Sequence, residues 1–135
     1  MLFVDRQDIH TFVSQLIMEK PTAPIVQRLK TSVKDNITMG EKYYRILSAV
    51  NDLKLTNREI QLIAFAATKG NISYANIRKE FCEKYGSTPP AINNIVSKLK
   101  KMGVFIKDGT KVKVNPVILL NFEKNIVLQI SLIHG

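Results

Sequence analysis

Six lysines, Lys98, Lys100, Lys101, Lys107, Lys111 and Lys113, fall within sixteen residues, and one acid, Asp108, lies among them. Ammonium groups at that density suit a polyanion. Each one set against a phosphate releases a condensed counterion, so such a cluster binds nucleic acid with an affinity that falls steeply with salt. Catalysis has much less to work with. The two histidines, His10 and His134, lie near opposite ends of the chain, and Cys82 is the one cysteine. No carboxylate pair, glycine-rich phosphate loop or metal-ligand spacing can be read, so the chain is expected to be no enzyme and to use no cofactor or metal. His10 flanks an apolar stripe and is expected on a helix rim; Cys82 is expected near the core as a small hydrophobe.

The charge is localised. The 135 residues carry 20 Lys and Arg against 11 Asp and Glu, a net +9. Residues 1–40 hold five bases and four acids, whereas residues 54–115 hold twelve bases and four acids, a net +8. An excess confined to one stretch points to a polyanionic partner more strongly than a uniformly basic surface does. With 45% apolar and 23% charged residues the chain has the material for a core, and its length suits one domain, or one domain with an appended arm. One cysteine excludes an intrachain disulfide and fits a reducing compartment. Acids stand near the N-terminus where a signal peptide has bases, and no run reaches about 20 apolar residues. A cytoplasmic protein with no membrane partner is expected.

Caps and apolar spacing define the elements that must hold the lysines. Asp5 would cap a first helix in which Ile9, Phe12, Val13, Leu16 and Ile17 recur at helical spacing until Pro21 and Pro24. Ile25, Leu29 and Val33 suggest a short second helix, broken by Asn36 and Gly40. Thr38 and Glu41 have capping-box spacing ahead of Tyr43, Ile46, Leu47, Val50 and Leu53. Thr56 and Glu59 repeat the box ahead of Ile60, Ile63, Ala64 and Ala67, with Gly70 as the stop. Ser73 would cap a helix carrying Ile77, Phe81 and Tyr85, closed by Gly86. Thr88 would cap the next. Pro89 and Pro90 are tolerated there because first-turn amides have no partner within the helix. Ile92, Ile95, Val96, Leu99 and Met102 form its buried stripe and Gly103 closes it. The run VFIKDGTKVKV then reads as a hairpin around Asp108-Gly109, ended by Pro116. Finally, NIVLQISLIH reads as a strand with Ile126, Leu128, Ile130 and Leu132 on one face and Val127 and Ile133 on the other. Two apolar faces demand burial or a pairing partner.

On a helical wheel, Pro90, Ala91, Ser97, Lys98 and Lys101 fall within about 60° of Asn94, opposite most of the apolar stripe. Residues 56–70, 73–86 and 88–103 as three helices, followed by a lysine-bearing hairpin over 104–114, resemble the winged helix-turn-helix family. The string SKLKKMGVFIKDGTKVKV is similar to the end of a recognition helix running into a wing. The resemblance covers roughly residues 56–115. LTNREIQLI is also similar to helix entries in quorum-sensing-type response-regulator domains, but those lack a wing.

The resemblance implies a recognition helix in the major groove. Base edges would be met by Asn94, which can pair with adenine, with Ala91 beside it; Ser97 would touch a base or a phosphate, and Pro90 lies on the same DNA-facing side. Lys98 and Lys101 would meet phosphates. In the wing, Lys107, Lys111 and Lys113 would reach the flanking backbone or the minor groove; Lys111 and Lys113, two apart on a strand, point the same way. Contact with about five phosphates would lower log K by roughly 4–5 units per tenfold rise in salt. The expected architecture is mainly α with a small β component. It comprises an N-terminal helical arm (residues 1–37), a winged-helix domain with its preceding helix (38–116) and a C-terminal strand for oligomerisation (117–135).

The function expected is that of a small transcription or replication regulator binding double-stranded DNA through 88–102 and 104–114, as a dimer or larger homo-oligomer. The alternative is a structural or assembly protein of a phage particle or other large complex, residing in a virion and using the same module for protein contacts. Apolar flanking segments and a C-terminal strand built to pair favour it, and a lysine-rich outer face is also what keeps any helix soluble.

Overall fold

The structure, a computed structural model, describes residues 3–4, 27–28, 33–131 and 133–134. The chain divides into two compact units, Val33–Glu123 and Met1–Ser32 with Lys124–Gly135. In the latter, strands β1 (Phe3–Val4) and β2 (Gln27–Arg28) pair antiparallel, Phe3 with Arg28 and Val4 with Gln27. This corrects the helix expected over residues 25–33: at Gln27 and Arg28 a ladder, not a helical turn, takes the backbone groups. The helix expected over residues 9–17, its Asp5 cap and His10 lie outside the described residues. The C-terminal strand is also corrected. Residues 125–131, 133 and 134 belong to no helix or strand, since a strand exists only through a neighbour, and no described segment pairs with this one.

Val33–Glu123 is mainly helical with one small antiparallel sheet. Its elements are α1 (Asn36–Val50), α2 (Asn57–Lys69), α3 (Ala75–Tyr85), α4 (Pro89–Lys101), β3 (Phe105–Asp108), β4 (Lys111–Val114) and a single turn of tight helix at Pro116–Ile118. At the centre stands α2, whose Leu62, Ile63, Ala64, Phe65 and Ala66 are all buried. Five consecutive buried residues enclose more than one turn of this helix, and α1, α3 and β4 pack around it. Its start is a full capping box: Thr56 Oγ1 accepts from the Glu59 amide at 3.2 Å, and Glu59 Oε1 accepts from the Thr56 amide at 2.8 Å.

Helix α1 begins earlier than expected and turns another face inward. Asp35, not Thr38, is the N-cap; its carboxylate accepts from the Thr38 amide at 2.8 Å and from the Thr38 hydroxyl at 3.0 Å. The buried residues are Gly40, Tyr44 and Ser48, so the expected stripe is displaced and Ile46 and Val50 are exposed. Gly40 is the cause. It does not break the helix; a Cβ at this position would lie 3.0 Å from Ala64 Cβ, so its bare backbone lets α1 approach α2 closely. The face around Gly40 thereby wins over a more apolar one. Tyr44 then reaches past α1 and donates its hydroxyl to the Ile118 carbonyl at 2.9 Å, and burial raises its pKa. Overpacking that contact should be costly. Gly40→Val is expected to lower unfolding free energy by about 1–3 kcal/mol, read as a lower urea midpoint, with Ala64→Gly in the same chain restoring part of the loss. A Gly40→Val chain as stable as the original would disprove the close approach.

Phe81 lies between Phe65 and Tyr85, its ring centroid 5.4 Å from one and 4.7 Å from the other. Before α3, Ser73 does not cap as expected. Tyr74 holds the N-cap position without a side-chain bond, while Ser73 Oγ accepts from the Val112 amide. The Ile72 amide donates to the Val112 carbonyl at 2.8 Å. Residues 72–73 therefore lie along the edge of β4 that β3 leaves free. Thr88 caps α4, accepting from the Ala91 amide at 3.4 Å, and Ile92, Val96 and Leu99 are buried. Met102, expected in that stripe, is 38% exposed because the helix ends at Lys101 and Met102 is its C-cap. In the hairpin Asp108 pairs with Lys111, so Gly109 and Thr110 form the two-residue loop. Gly109, first of the two, has φ +63°, the left-handed start at which a primed hairpin turn favours glycine.

Candidate nucleic-acid interface

The outward face of α4 exists as a face. Pro90, Asn94, Ser97, Lys98 and Lys101 are exposed and Ala91 is half-buried, over the buried Ile92, Val96 and Leu99. Lys98, Lys100 and Lys101 occupy the last turn, where cations meet the negative end of the helix dipole at a gain of about 0.3–1 kcal/mol each. These lysines thus have a structural use even without a ligand.

Not every side chain on this face is free. Lys98 Nζ lies 2.7 Å from Glu59 Oε2, on a glutamate whose side chain is 6% exposed. Lys98, expected to meet a phosphate, is thus held by Glu59 in the free protein. Asn93 is engaged too: its Oδ1 accepts from Arg78 Nη1, while Arg78 Nε donates to the Ile72 carbonyl at 2.8 Å. Asn94 is left as the outward amide. Asn94, Ser97 and Lys101 make no side-chain hydrogen bond or ion pair among the described residues.

Cross-strand partners share a face of a hairpin. Phe105, Lys107, Val112 and Val114 therefore share one face, and Ile106, Asp108, Lys111 and Lys113 share the other. Lys111 and Lys113 point the same way, but Lys107 points opposite. Lys113 is half-buried and paired with Asp108, Nζ to Oδ2 at 2.7 Å. That hydrogen bond, with the charges of Lys113 and Lys111, holds the Asp108 carboxyl below its ordinary range. Lys111 Nζ stands 6.0 Å from the centre of the Tyr74 ring. Tyr74, 46% exposed, went unnoticed in the sequence because only the strand edge at 72–73 brings it beside the hairpin. Of the residues expected to contact DNA, Lys101, Lys107 and Lys111 have no carboxylate partner among the described residues.

Glu59 is buried, which raises a carboxyl pKa, yet hydrogen bonds from Lys98 and Thr56 and the Lys98 charge outweigh burial and hold it below its ordinary value. A carboxyl whose folded pKa lies below its unfolded one contributes stability above the ordinary Glu range, and loses it as pH falls through the folded value. Unfolding midpoints measured from pH 6 down to pH 3 should therefore fall less for Glu59→Gln than for the unaltered chain, the two curves converging in acid. Parallel curves would remove Glu59 from the acid response.

Cys82 is half-buried in a shallow apolar groove with Ala75, Arg78, Lys79 and Pro89. Among the described residues no three His, Cys, Asp or Glu side chains gather within metal-binding reach, and no helix is long and apolar enough to cross a membrane. Comparison of the chain with protein-family models, with curated proteins and with solved structures returns no match.

Proposed function

We propose that Val33–Glu123 is a winged-helix module that binds duplex DNA, with α4 in the major groove and the β3–β4 hairpin as the wing. The observation that carries this reading is the uncommitted surface of α4. Asn94, Ser97 and Lys101 are exposed and unpartnered among the described residues on a helix whose reverse is buried, and a lysine-bearing hairpin follows it directly. In this reading Asn94, with Pro90, Ala91 and Ser97, faces base edges and Lys101 takes a phosphate. Lys107 and Lys111, on opposite faces of the hairpin, would meet the backbones on either side of a groove. The role fits a small transcription or replication regulator of the cytoplasm, acting as a homo-oligomer.

The pairings alter the expected magnitude. With Lys98 and Lys113 held by acids, three lysines remain as phosphate contacts, so log K should fall by about 2.7 units per tenfold rise in salt rather than roughly 4–5. Fluorescence anisotropy with a random-sequence duplex across a salt series reads this slope. Failure to bind any duplex at the lowest salt would end the reading.

Val117, 88% exposed, and Val50, 51% exposed, favour a second reading as an assembly module of a phage particle or other large complex. A stable ring or higher oligomer without DNA affinity would support it.

A further inference from the structure

We propose that Glu59 is a positioning residue for the groove-facing helix, acting through Lys98, and that Lys98 itself contacts no phosphate. The proposal rests on the DNA-binding reading and deepens it. Glu59 uses both carboxylate oxygens. One accepts from the Thr56 amide at 2.8 Å and so belongs to the start of α2; the other lies 2.7 Å from Lys98 Nζ. Its side chain is almost fully enclosed, while that of Lys98 is 50% exposed.

The asymmetry decides where Lys98 stays. Were Lys98 to leave for a phosphate, an enclosed carboxylate would lose its counter-charge, the costliest way to break an ion pair. The gain would be a solvent-exposed contact, which is weak. Retention is therefore favoured on the duplex as in the free protein.

Location gives the retained pair its use. Lys98 is four residues from Asn94 and three from Lys101, so it shares their side of α4. Glu59 belongs to α2, the buried helix around which α1, α3 and β4 pack. The pair thus ties the outward side of α4 to the buried start of α2 and sets the rotation of α4 about its own axis. The stripe of Ile92, Val96 and Leu99 and the Asn93–Arg78 bond hold the inner side of α4, and the Lys98–Glu59 pair adds a tie on the outward side. Asn94 aimed at a base edge tolerates little roll.

The test uses the full chain and a random-sequence duplex, with anisotropy over a salt series and urea unfolding of each free variant in parallel. Lys101→Met is expected to lower the salt slope by about 0.9, as the loss of one phosphate contact does. Lys98→Met should weaken binding by roughly 3–10-fold, in the range of coupling between contacting residues, with the slope unchanged. Lys98→Arg keeps the pairing and should restore affinity. Glu59→Gln should weaken binding although it removes a negative charge near DNA, the reverse of what charge alone dictates. The double variant Glu59→Gln with Lys98→Met should bind no worse than the weaker single one.

A slope that drops for Lys98→Met as it does for Lys101→Met would make Lys98 a phosphate anchor and overturn the proposal. Unchanged affinity in a folded Lys98→Met chain would reduce the pair to a stabilising contact and overturn it as well. If Lys98→Met does not fold, Glu59→Gln decides: binding as tight as the unaltered chain, or tighter, refutes the positioning role. A chain that binds no duplex at any salt shows no slope to compare; that outcome refutes the DNA reading itself and this proposal with it.

Discussion

Replacing Lys101 and Lys107 together by Met is expected to weaken binding to a random duplex roughly 50-fold at 0.1 M salt and to lower the salt slope by about 1.8. Both side chains are exposed and neither meets a carboxylate among the described residues, so their removal leaves no buried charge behind. Loss of Lys101 from the last turn of α4 removes about 0.3–1 kcal/mol of dipole interaction, too little to unfold the domain, so the main effect falls on binding. The loss should shrink as salt rises, because it reflects counterions no longer released rather than contacts broken. Lys42→Met, the same charge change on the exposed face of α1, serves as the control and should leave the slope intact. A loss equal at all salts would point to a damaged fold, and an unchanged slope in the double variant would take both lysines off the nucleic acid.

Phe81→Ala should cost about 3–5 kcal/mol, a large share of the roughly 5–15 kcal/mol that holds a domain together. Its ring is 0% exposed and meets Phe65 edge-on, at 69° between ring planes. Tyr85 closes the other side, and its own position is held by the Arg58 guanidinium on its carbonyl and by Glu41, whose Oε1 accepts its hydroxyl at 3.3 Å. Burial and then that carboxylate push the Tyr85 phenol up to about 12, so it is a donor at neutral pH. Neighbours fixed this way cannot collapse into the space an alanine would leave, and the cavity keeps most of its cost. Urea unfolding followed by circular dichroism measures the loss. A variant within about 1 kcal/mol of the original would mean the three rings do not enclose one another.

What could be read in advance was chemistry acting over a few residues. The Thr56–Glu59 box, the Thr88 cap with its two prolines and the glycine in the hairpin loop are each written within four positions, and each formed. Misreadings arose where a residue serves something distant. Gly40 looked like a breaker because its value lies in Ala64, a contact across helices. Ser73 reads as a cap, yet its hydroxyl oxygen is taken by the distant Val112 amide. The outward face of α4 was legible from periodicity, yet the occupation of Lys98 was not, since Glu59 is 39 positions away (98 − 59) and no spacing rule joins them. The Asp108–Lys113 pair could have been found: a two-residue loop sets the register, and the register places the two on one face. The C-terminal run shows the limit of pattern reading, for apolar residues on both faces state a need for partners without supplying one.

The bond from Ile72 to Val112 joins residues forty positions apart (112 − 72), with α3, α4 and half the hairpin in the loop it closes. A two-stranded hairpin on its own is barely stable in water and samples many conformations. Tied along its second edge, this one loses that conformational entropy once, during folding. Whatever docks there meets a preorganised surface and bears no ordering cost for it.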